Sequence, residues 1–210
     1  MRRSGPRGDK RIGAALLVSA ALLFAGCLGD VTGEGVEESG SVLSAIVTPT
    51  YFEEATKQVD ALRDMCGDDP ENMEPEKFTD HLASISFTNR VWPNASSQTA
   101  GPVFIDSYRI AYSPARSGLP DLDSTEVGLA KSLEIPPCPA DSTSCSATTY
   151  QGFTFVSLRT KAEYIEKGGD PFVQGAYNVT YTFYAHTIVG KAVRFSAEAD
   201  FLILDYDFCK

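Results

Sequence analysis

The end of the chain carries the pattern that most restricts its fold. Over 177–184, and again over 193–203, apolar and polar residues alternate with a period of two. This period puts every second side chain on one face of a strand, and Gly190 predicts a short turn between the two segments. We therefore predict an antiparallel β-hairpin whose apolar face must lie against a second sheet.

Three earlier segments also have the composition of strands. They cover 83–88, 103–112 and 153–158, and loop residues such as Pro114 separate them. Six or seven strands joined by turns predict an all-β fold, an antiparallel β-sandwich of about seven strands over 45–210. Segment 52–66 is open, because its apolar spacing favours a helix while an edge strand over 58–65 is the alternative.

The N-terminus predicts export from the cytoplasm. Residues 1–11 are rich in Arg and Lys, and 12–25 form an uncharged apolar run that ends in small residues. This layout is typical of a secretory signal peptide, predicted here over 1–26. The apolar run is shorter than the roughly 20 residues that a membrane-spanning helix needs.

Cys27 follows the sequence Leu-Phe-Ala-Gly, and this stretch resembles the lipobox of bacterial lipoproteins. The resemblance implies that the Cys27 thiol carries a diacylglyceryl group after cleavage. Leu28 in the next position implies sorting to the outer rather than the inner membrane. Residues 27–44, rich in Gly and Glu, are then predicted to be a flexible acidic tether between the lipid and the domain.

The charge of the chain excludes one class of partner. The sequence has 28 acidic and 18 basic residues, a net charge of −10, and removal of the basic leader would make it more acidic still. Such a surface repels phosphate backbones, so we expect no nucleic acid partner.

The cysteines predict two disulfides. With Cys27 assigned to lipid, an even number remains in a compartment that permits disulfides. Cys138 and Cys145 flank a short polar insert, which favours a bond between them. Cys66 would then pair with Cys209, although three pairings are possible in principle.

Several segments together resemble one group of proteins, the uncharacterised bacterial lipoproteins with Ig-like β-sandwich domains. The resemblance covers about 59–209, and it is carried by Phe78-Thr79-Asp80-His81 with the strand to Thr88-Asn89, by 105–112, and by the pair 177–183 and 193–207. It implies an Ig-like sandwich and favours the edge strand over 58–65. The group brings no known activity.

No catalytic or cofactor motif is present. The two histidines, His81 and His186, fall on predicted strands, and the sequence has no zinc, c-type haem or Gly-x-Ser-x-Gly motif. We interpret both histidines as surface or packed residues, and expect no metal, no cofactor and no catalytic residues. An enzyme with an unrecognised site is the less favoured alternative.

Two features suggest ligand binding. The acidic loops 68–76 and 121–126, with Asp121 and Asp123 as candidate contacts, suggest calcium, but solvated loops are the favoured interpretation. Trp92, with Tyr108 and Tyr112, could form an exposed stacking face for a sugar or a protein, although a cap on one end of the sandwich is favoured.

The combination of anchor, tether and sandwich predicts a lipid-anchored cell-envelope protein. We expect it to bind or scaffold a protein partner without catalysing a reaction. A carbohydrate- or calcium-binding module at the cell surface is the alternative.

Overall fold

A computed structural model describes residues 41–52, 54–67, 71–92, 101–138 and 145–209. Their elements are β1 (Ser41–Tyr51), β2 (Glu54–Ala55), β3 (Gln58–Asp60), β4 (Met65–Cys66), β5 (Glu74–Pro75), β6 (His81–Val91), β7 (Val103–Pro114), β8 (Thr125–Ile135), β9 (Thr148–Val156), α1 (Leu158–Glu166), β10 (Gly175–Thr187) and β11 (Ala192–Leu204). The predicted signal peptide, Cys27 and most of the tether lie outside the described residues.

The strands form two main sheets. One has the order β2-β1-β6-β9, and the other has the order β3-β11-β10-β7-β8, while β4 and β5 pair with each other. Neighbours in the main sheets are antiparallel, except that β3 runs parallel to β11. The long strands, β1 and β6 to β11, agree with the predicted number of about seven. The all-β sandwich is confirmed.

The terminal hairpin forms as its period predicts. Tyr177 pairs with Phe201 and Phe183 with Phe195, so the apolar sets of β10 and β11 share one face. Buried residues alternate with more exposed ones along β10. The turn contains Gly190, whose φ of +79° is readily adopted by glycine.

Tyrosine hydroxyls join the two sheets across the core. Tyr112 donates to the carbonyl of Phe155 at 2.7 Å, and Tyr181 donates to that of Thr154 at 2.5 Å. The amide of Thr154 in turn donates to the hydroxyl of Tyr108 at 3.1 Å. A buried phenol needs such a partner, so these bonds fix the position of β9 opposite β7 and β10.

Three sequence predictions need correction, and one segment that the sequence left open is resolved. The tether was predicted to extend to Ser44, but β1 begins at Ser41. Strand β8 was not among the predicted strands. Its apolar residues Val127, Leu129, Leu133 and Ile135 do alternate, but Lys131 interrupts the set and most side chains of the strand are not buried. The strand predicted over 153–158 ends at Val156, because Ser157 caps α1. The region 52–66 contains no helix in its described residues, and β3 lies at a sheet edge as the strand alternative predicts.

Both predicted disulfides are present. Cys66 and Cys209 are joined with their Cα atoms 5.3 Å apart, and Cys138 and Cys145 with theirs 5.7 Å apart. The first closes a loop of most of the domain, whereas the second closes a short insert.

The two ends of the sandwich differ in what they contain. At the end that we call the tether end, β1 begins at Ser41 beside Val91, the last residue of β6. At the opposite end, the far end, β1 stops at Tyr51 and β6 starts at His81. Strands β3 to β5, helix α1 and the C-terminal segment 205–209 gather at the far end.

Within the described part of the chain, no helix has the length and apolar character needed to cross a membrane.

Candidate functional site

The far end contains four ionisable side chains that are removed from solvent. We call Asp60, Glu76, His81 and Lys161 the buried polar cluster; their exposed fractions are 0%, 2%, 0% and 0%. They come from the end of β3, the residue after β5, the start of β6 and the first turn of α1. Charged residues are rarely fully buried without close partners, so the cluster marks this end as unusual.

Several atoms of the cluster lack hydrogen bonds. Among the described residues, Asp60 Oδ2, both ring nitrogens of His81 and Lys161 Nζ have no partner. Lys161 Nζ instead lies 4.0 Å from the ring centroid of Phe78 and 5.6 Å from that of Tyr51. The negative faces of these rings partly replace the water that the ammonium has lost.

Burial shifts the pKa of each of three groups in the direction that disfavours the charged form of that group. It raises the pKa of Asp60 to about 7, with a further increase from the nearby charge of Glu76. It lowers the pKa of Lys161 to about 8. It lowers the pKa of His81 to about 3, helped by the positive charge of Lys161. His81 is therefore neutral at pH 7, while Asp60 and Lys161 titrate near it.

The two carboxylates of the cluster also hold the C-terminal segment. Asp60 Oδ1 accepts from the amides of Leu62 at 3.3 Å and Tyr206 at 3.2 Å. Glu76 Oε1 accepts from the amide of Phe208 at 2.7 Å. Together with the Cys66–Cys209 disulfide, these bonds attach 205–209 to the region between β3 and β6.

A groove lies on the surface above this attachment. Its volume is about 240 Å³. Its lining residues are Phe52, Cys66, Glu74, Pro75, Glu76, Lys77 and Phe208. The walls combine two aromatic rings with a disulfide, carboxylates and one ammonium, so they suit a ligand that has both apolar and polar parts.

Phe52 stands out on the rim of the groove. Its φ of +47° is the one positive value among the described residues other than glycines, and 47% of its surface is exposed. Left-handed backbone costs a non-glycine residue about 1–2 kcal/mol. Because about half of Phe52 stays exposed, packing on the protein accounts for only part of that cost, which makes it a candidate contact residue.

An aromatic stack connects the rim to the buried polar cluster. The Phe52 ring lies 4.1 Å from that of Tyr51, which stacks on His81 at 3.9 Å with an interplanar angle of 3°. Phe208, which lines the groove, lies 4.9 Å from Tyr51. A ligand that moved Phe52 or Phe208 would therefore press on the ring above His81.

Two exposed methionines extend the apolar surface beside the groove. Met65 in β4 is 52% exposed, and Met73, just before β5, is 40% exposed. Methionine adapts its shape to different partners because its side chain is flexible and polarisable.

Three members of the buried polar cluster are out of reach of the groove. The side chains with shifted pKa values, Asp60, His81 and Lys161, have no exposed surface and cannot touch a molecule in the groove. Catalytic acids and bases must reach the reacting atoms.

The second histidine, His186, also lacks a catalytic geometry. His186 Nδ1 lies 2.7 Å from Asp106 Oδ2, and the hydroxyl of Ser132 donates to Asp106 Oδ1 at 2.6 Å. In hydrolase triads the imidazole lies between the acid and the nucleophile, whereas here the acid lies in the middle. The contact that would activate the serine is missing from this set.

The residues predicted to bind a sugar do not form one surface. Trp92 is 48% exposed and lies at the tether end, just after β6. Tyr108 and Tyr112 are buried, at 2% and 7% exposed, and they hydrogen-bond inside the core. These three residues therefore do not form the exposed stacking face, which was the less favoured interpretation.

The two candidate calcium contacts, Asp121 and Asp123, bind the ammonium of Lys167 instead. Asp123 Oδ1 lies 2.9 Å from Lys167 Nζ, which also donates to the carbonyl of Asp121 at 2.9 Å. The group of potential metal ligands among the described residues is Cys66, Asp207 and Cys209, and its two cysteines are spent in a disulfide. Asp68 and Asp69 lie outside the described residues.

Sequence reasoning did not identify the buried polar cluster. One usable signal was present: His81 is in phase with Ala83, Ile85 and Phe87, so the strand period points its side chain into the core. Lys161 carried no such signal, because a short helix with polar residues has a weak period.

Comparison with known proteins identifies no family. No protein-family model matches the sequence, and no curated protein matches it. Among solved structures, the X-ray structure of Northeast Structural Genomics Consortium target SoR45 is similar at 13% identity, covering 77% of this chain and 86% of that chain with a TM-score of 0.34. This likeness is too low to carry an argument about fold or function.

Proposed function

We propose that the protein is a lipid-anchored component of the cell envelope that binds a protein partner through the far-end groove and catalyses no reaction. The observation that carries the proposal is Phe52, an exposed ring held on the groove rim in a left-handed backbone conformation. Phenylalanine and methionine are both enriched at protein interfaces relative to the rest of the surface. Met65 and Met73 extend the same surface.

The predicted anchor would leave the groove where a partner can reach it. The chain enters the sandwich at Ser41, so a lipid on Cys27 would hold the tether end nearer the membrane and leave the groove facing away from it. An extended tether covers at most about 3.5 Å per residue, which lets the domain reach partners close to the surface. Leu28 favours the outer membrane as its location.

Charge limits the chemistry of the partner. From Glu54 to Asp80 the carboxylates outnumber the basic residues Lys57, Arg63 and Lys77. Acidic surroundings favour a partner that presents basic residues around an apolar side chain. The apolar side chain would contact Phe52 and Phe208, and the basic residues would approach Glu74.

The test compares two substitutions of exposed apolar residues. Phe52→Gly removes the ring while glycine tolerates the backbone, so we expect a stability change of less than about 1 kcal/mol. Ile46→Ala is the control, because Ile46 is 69% exposed on β1 away from the groove. Each purified protein is crosslinked to envelope extract, and the captured proteins are quantified by mass spectrometry.

We expect at least one envelope protein to be captured by the wild type and by Ile46→Ala, and to be lost with Phe52→Gly. Equal capture by all three proteins, or no reproducible capture, would exclude the groove as the binding surface.

A further inference from the structure

The turn between β10 and β11 presents two aliphatic side chains at its tip. Ile188 and Val189 are 63% and 65% exposed. The turn is tight, since the amide of Gly190 donates to the carbonyl of Thr187 at 2.8 Å. Residues at such turns are usually Gly, Asn, Asp, Pro or Ser, so two branched aliphatic residues here leave apolar surface in water.

The tip lies at the tether end together with Trp92. The side-chain nitrogen of Asn89, near the end of β6, donates to the carbonyl of Gly101 at 3.1 Å. A Cβ on Gly101 would in turn lie 3.0 Å from Cγ2 of Ile188. These contacts bring the end of one sheet beside the turn of the other. We define Trp92, Ile188 and Val189 as the tether-end tip.

Local charge distinguishes this tip from the acidic remainder of the chain. Trp92 is preceded by the exposed Arg90, and the turn is followed by the exposed Lys191. The sequence over 92–100 contains no charged residue. A half-exposed tryptophan beside aliphatic and basic side chains is the composition that proteins present to the headgroup region of a bilayer.

We propose that the tether-end tip inserts into the surface of a phospholipid bilayer and so orients the domain with its groove facing away from the membrane. The inference builds on the proposed envelope attachment. The occupant follows from the path of the chain: the apolar segment 12–25 and Cys27 precede Ser41, which enters the fold at this end.

The tether makes a weak contact sufficient. Three side chains bind a membrane only reversibly when the protein is free in solution. A short flexible linker raises the effective concentration of the tip at the membrane to about millimolar or more, so that the contact persists.

The test uses the single tryptophan of the chain as its own reporter. The chain from Cys27 onward, with an N-terminal histidine tag, is held on phosphatidylcholine vesicles by a nickel-chelating lipid. All the described strands and the helix lie within 41–209, so this chain retains the whole described fold. The fluorescence of Trp92 is recorded with unlabelled and with brominated phosphatidylcholine.

We expect the Trp92 emission to shift to shorter wavelength on the vesicles, and to lose intensity when the lipid is brominated. Ile188→Asp with Val189→Asp should abolish both effects, while Ile46→Asp, at an exposed position on β1, should leave them unchanged. Emission that is insensitive to brominated lipid, or quenching that survives the double substitution, would overturn the proposal.

This design separates the inference from the proposed function. The nickel lipid replaces the natural anchor, so the result does not depend on lipidation of Cys27. Phe52→Gly should retain full quenching of Trp92, because the groove lies at the other end of the sandwich.

Discussion

The two ends of the sandwich use buried polar groups in different ways. At the tether end, the buried Asn89 is neutral. Its side-chain nitrogen donates to the carbonyls of Gly101 and Ile135, while its Oδ1 has no hydrogen-bond partner among the described residues. At the far end, Asp60, His81 and Lys161 are ionisable and have atoms without hydrogen bonds. Each end also has its own disulfide.

The buried polar groups of the far end therefore lower the free energy of unfolding more than those of the tether end. A buried neutral amide that keeps two hydrogen bonds, even with its oxygen unbonded, costs less than a buried ionisable group without a partner. The far end is also where the groove lies. Substitutions at the two ends should therefore change the free energy of unfolding by different amounts and with a different dependence on pH.

The disulfides give the largest expected contrast. Serine substitutions of Cys66 and Cys209 should lower the free energy of unfolding by about 5 kcal/mol, because 143 residues separate the two cysteines. The same change at Cys138 and Cys145, 7 residues apart, should cost about 2.5 kcal/mol. Denaturant unfolding measures both. Equal losses would contradict the assignment of the long loop closure to the far end.

The pH dependence of stability gives the second contrast. The pKa of His81 falls from 6.5 to about 3 on folding, so only the unfolded chain takes up this proton and stability is lost as pH falls between those values. The pKa of Asp60 rises from 3.8 to about 7, so stability is lost as pH rises between those values. The two effects oppose each other between about pH 4 and 6.5.

Single substitutions should expose each effect. With Asp60→Asn, stability should fall by about 3 kcal/mol on acidification from pH 6.5 to 4. With His81→Phe, it should instead fall by a similar amount as pH rises from 4 to 7. The double variant is the control and should remove both slopes. Unfolding curves that keep the wild-type pH profile in both single variants would refute the burial of these groups.

The smallest expected effect is a gain. Lys161→Met keeps the aliphatic stem and removes an unpaired buried ammonium, so it should raise the free energy of unfolding at pH 7 by about 2 kcal/mol. Lys57→Met is the matched control, since Lys57 is exposed and pairs with Asp200, and it should change stability by less than about 1 kcal/mol. A loss of stability with Lys161→Met would mean that the ammonium is paired in solution.

How well the sequence predicted each part depended on how local its cause is. The β10–β11 hairpin was predicted because its period of two lies within a single stretch of chain. Strand β8 was missed although its apolar residues alternate, because Gly128, Ala130 and Lys131 are residues that strands disfavour and they weaken the pattern. The whole of β1 was missed, because its first residues adjoin a segment rich in Gly and Glu and were assigned to the tether.

The all-β sandwich, the hairpin and the favoured disulfides could be predicted from local sequence patterns, and the tether and the lipidation of Cys27 stay predictions. Only the tertiary structure brought Asp60, Glu76, His81 and Lys161 into one cluster beneath the groove. The physical reason is distance along the chain. Alternation acts between neighbouring residues, whereas the burial of these charges depends on β3, β5, β6 and α1 meeting at one end of the sandwich.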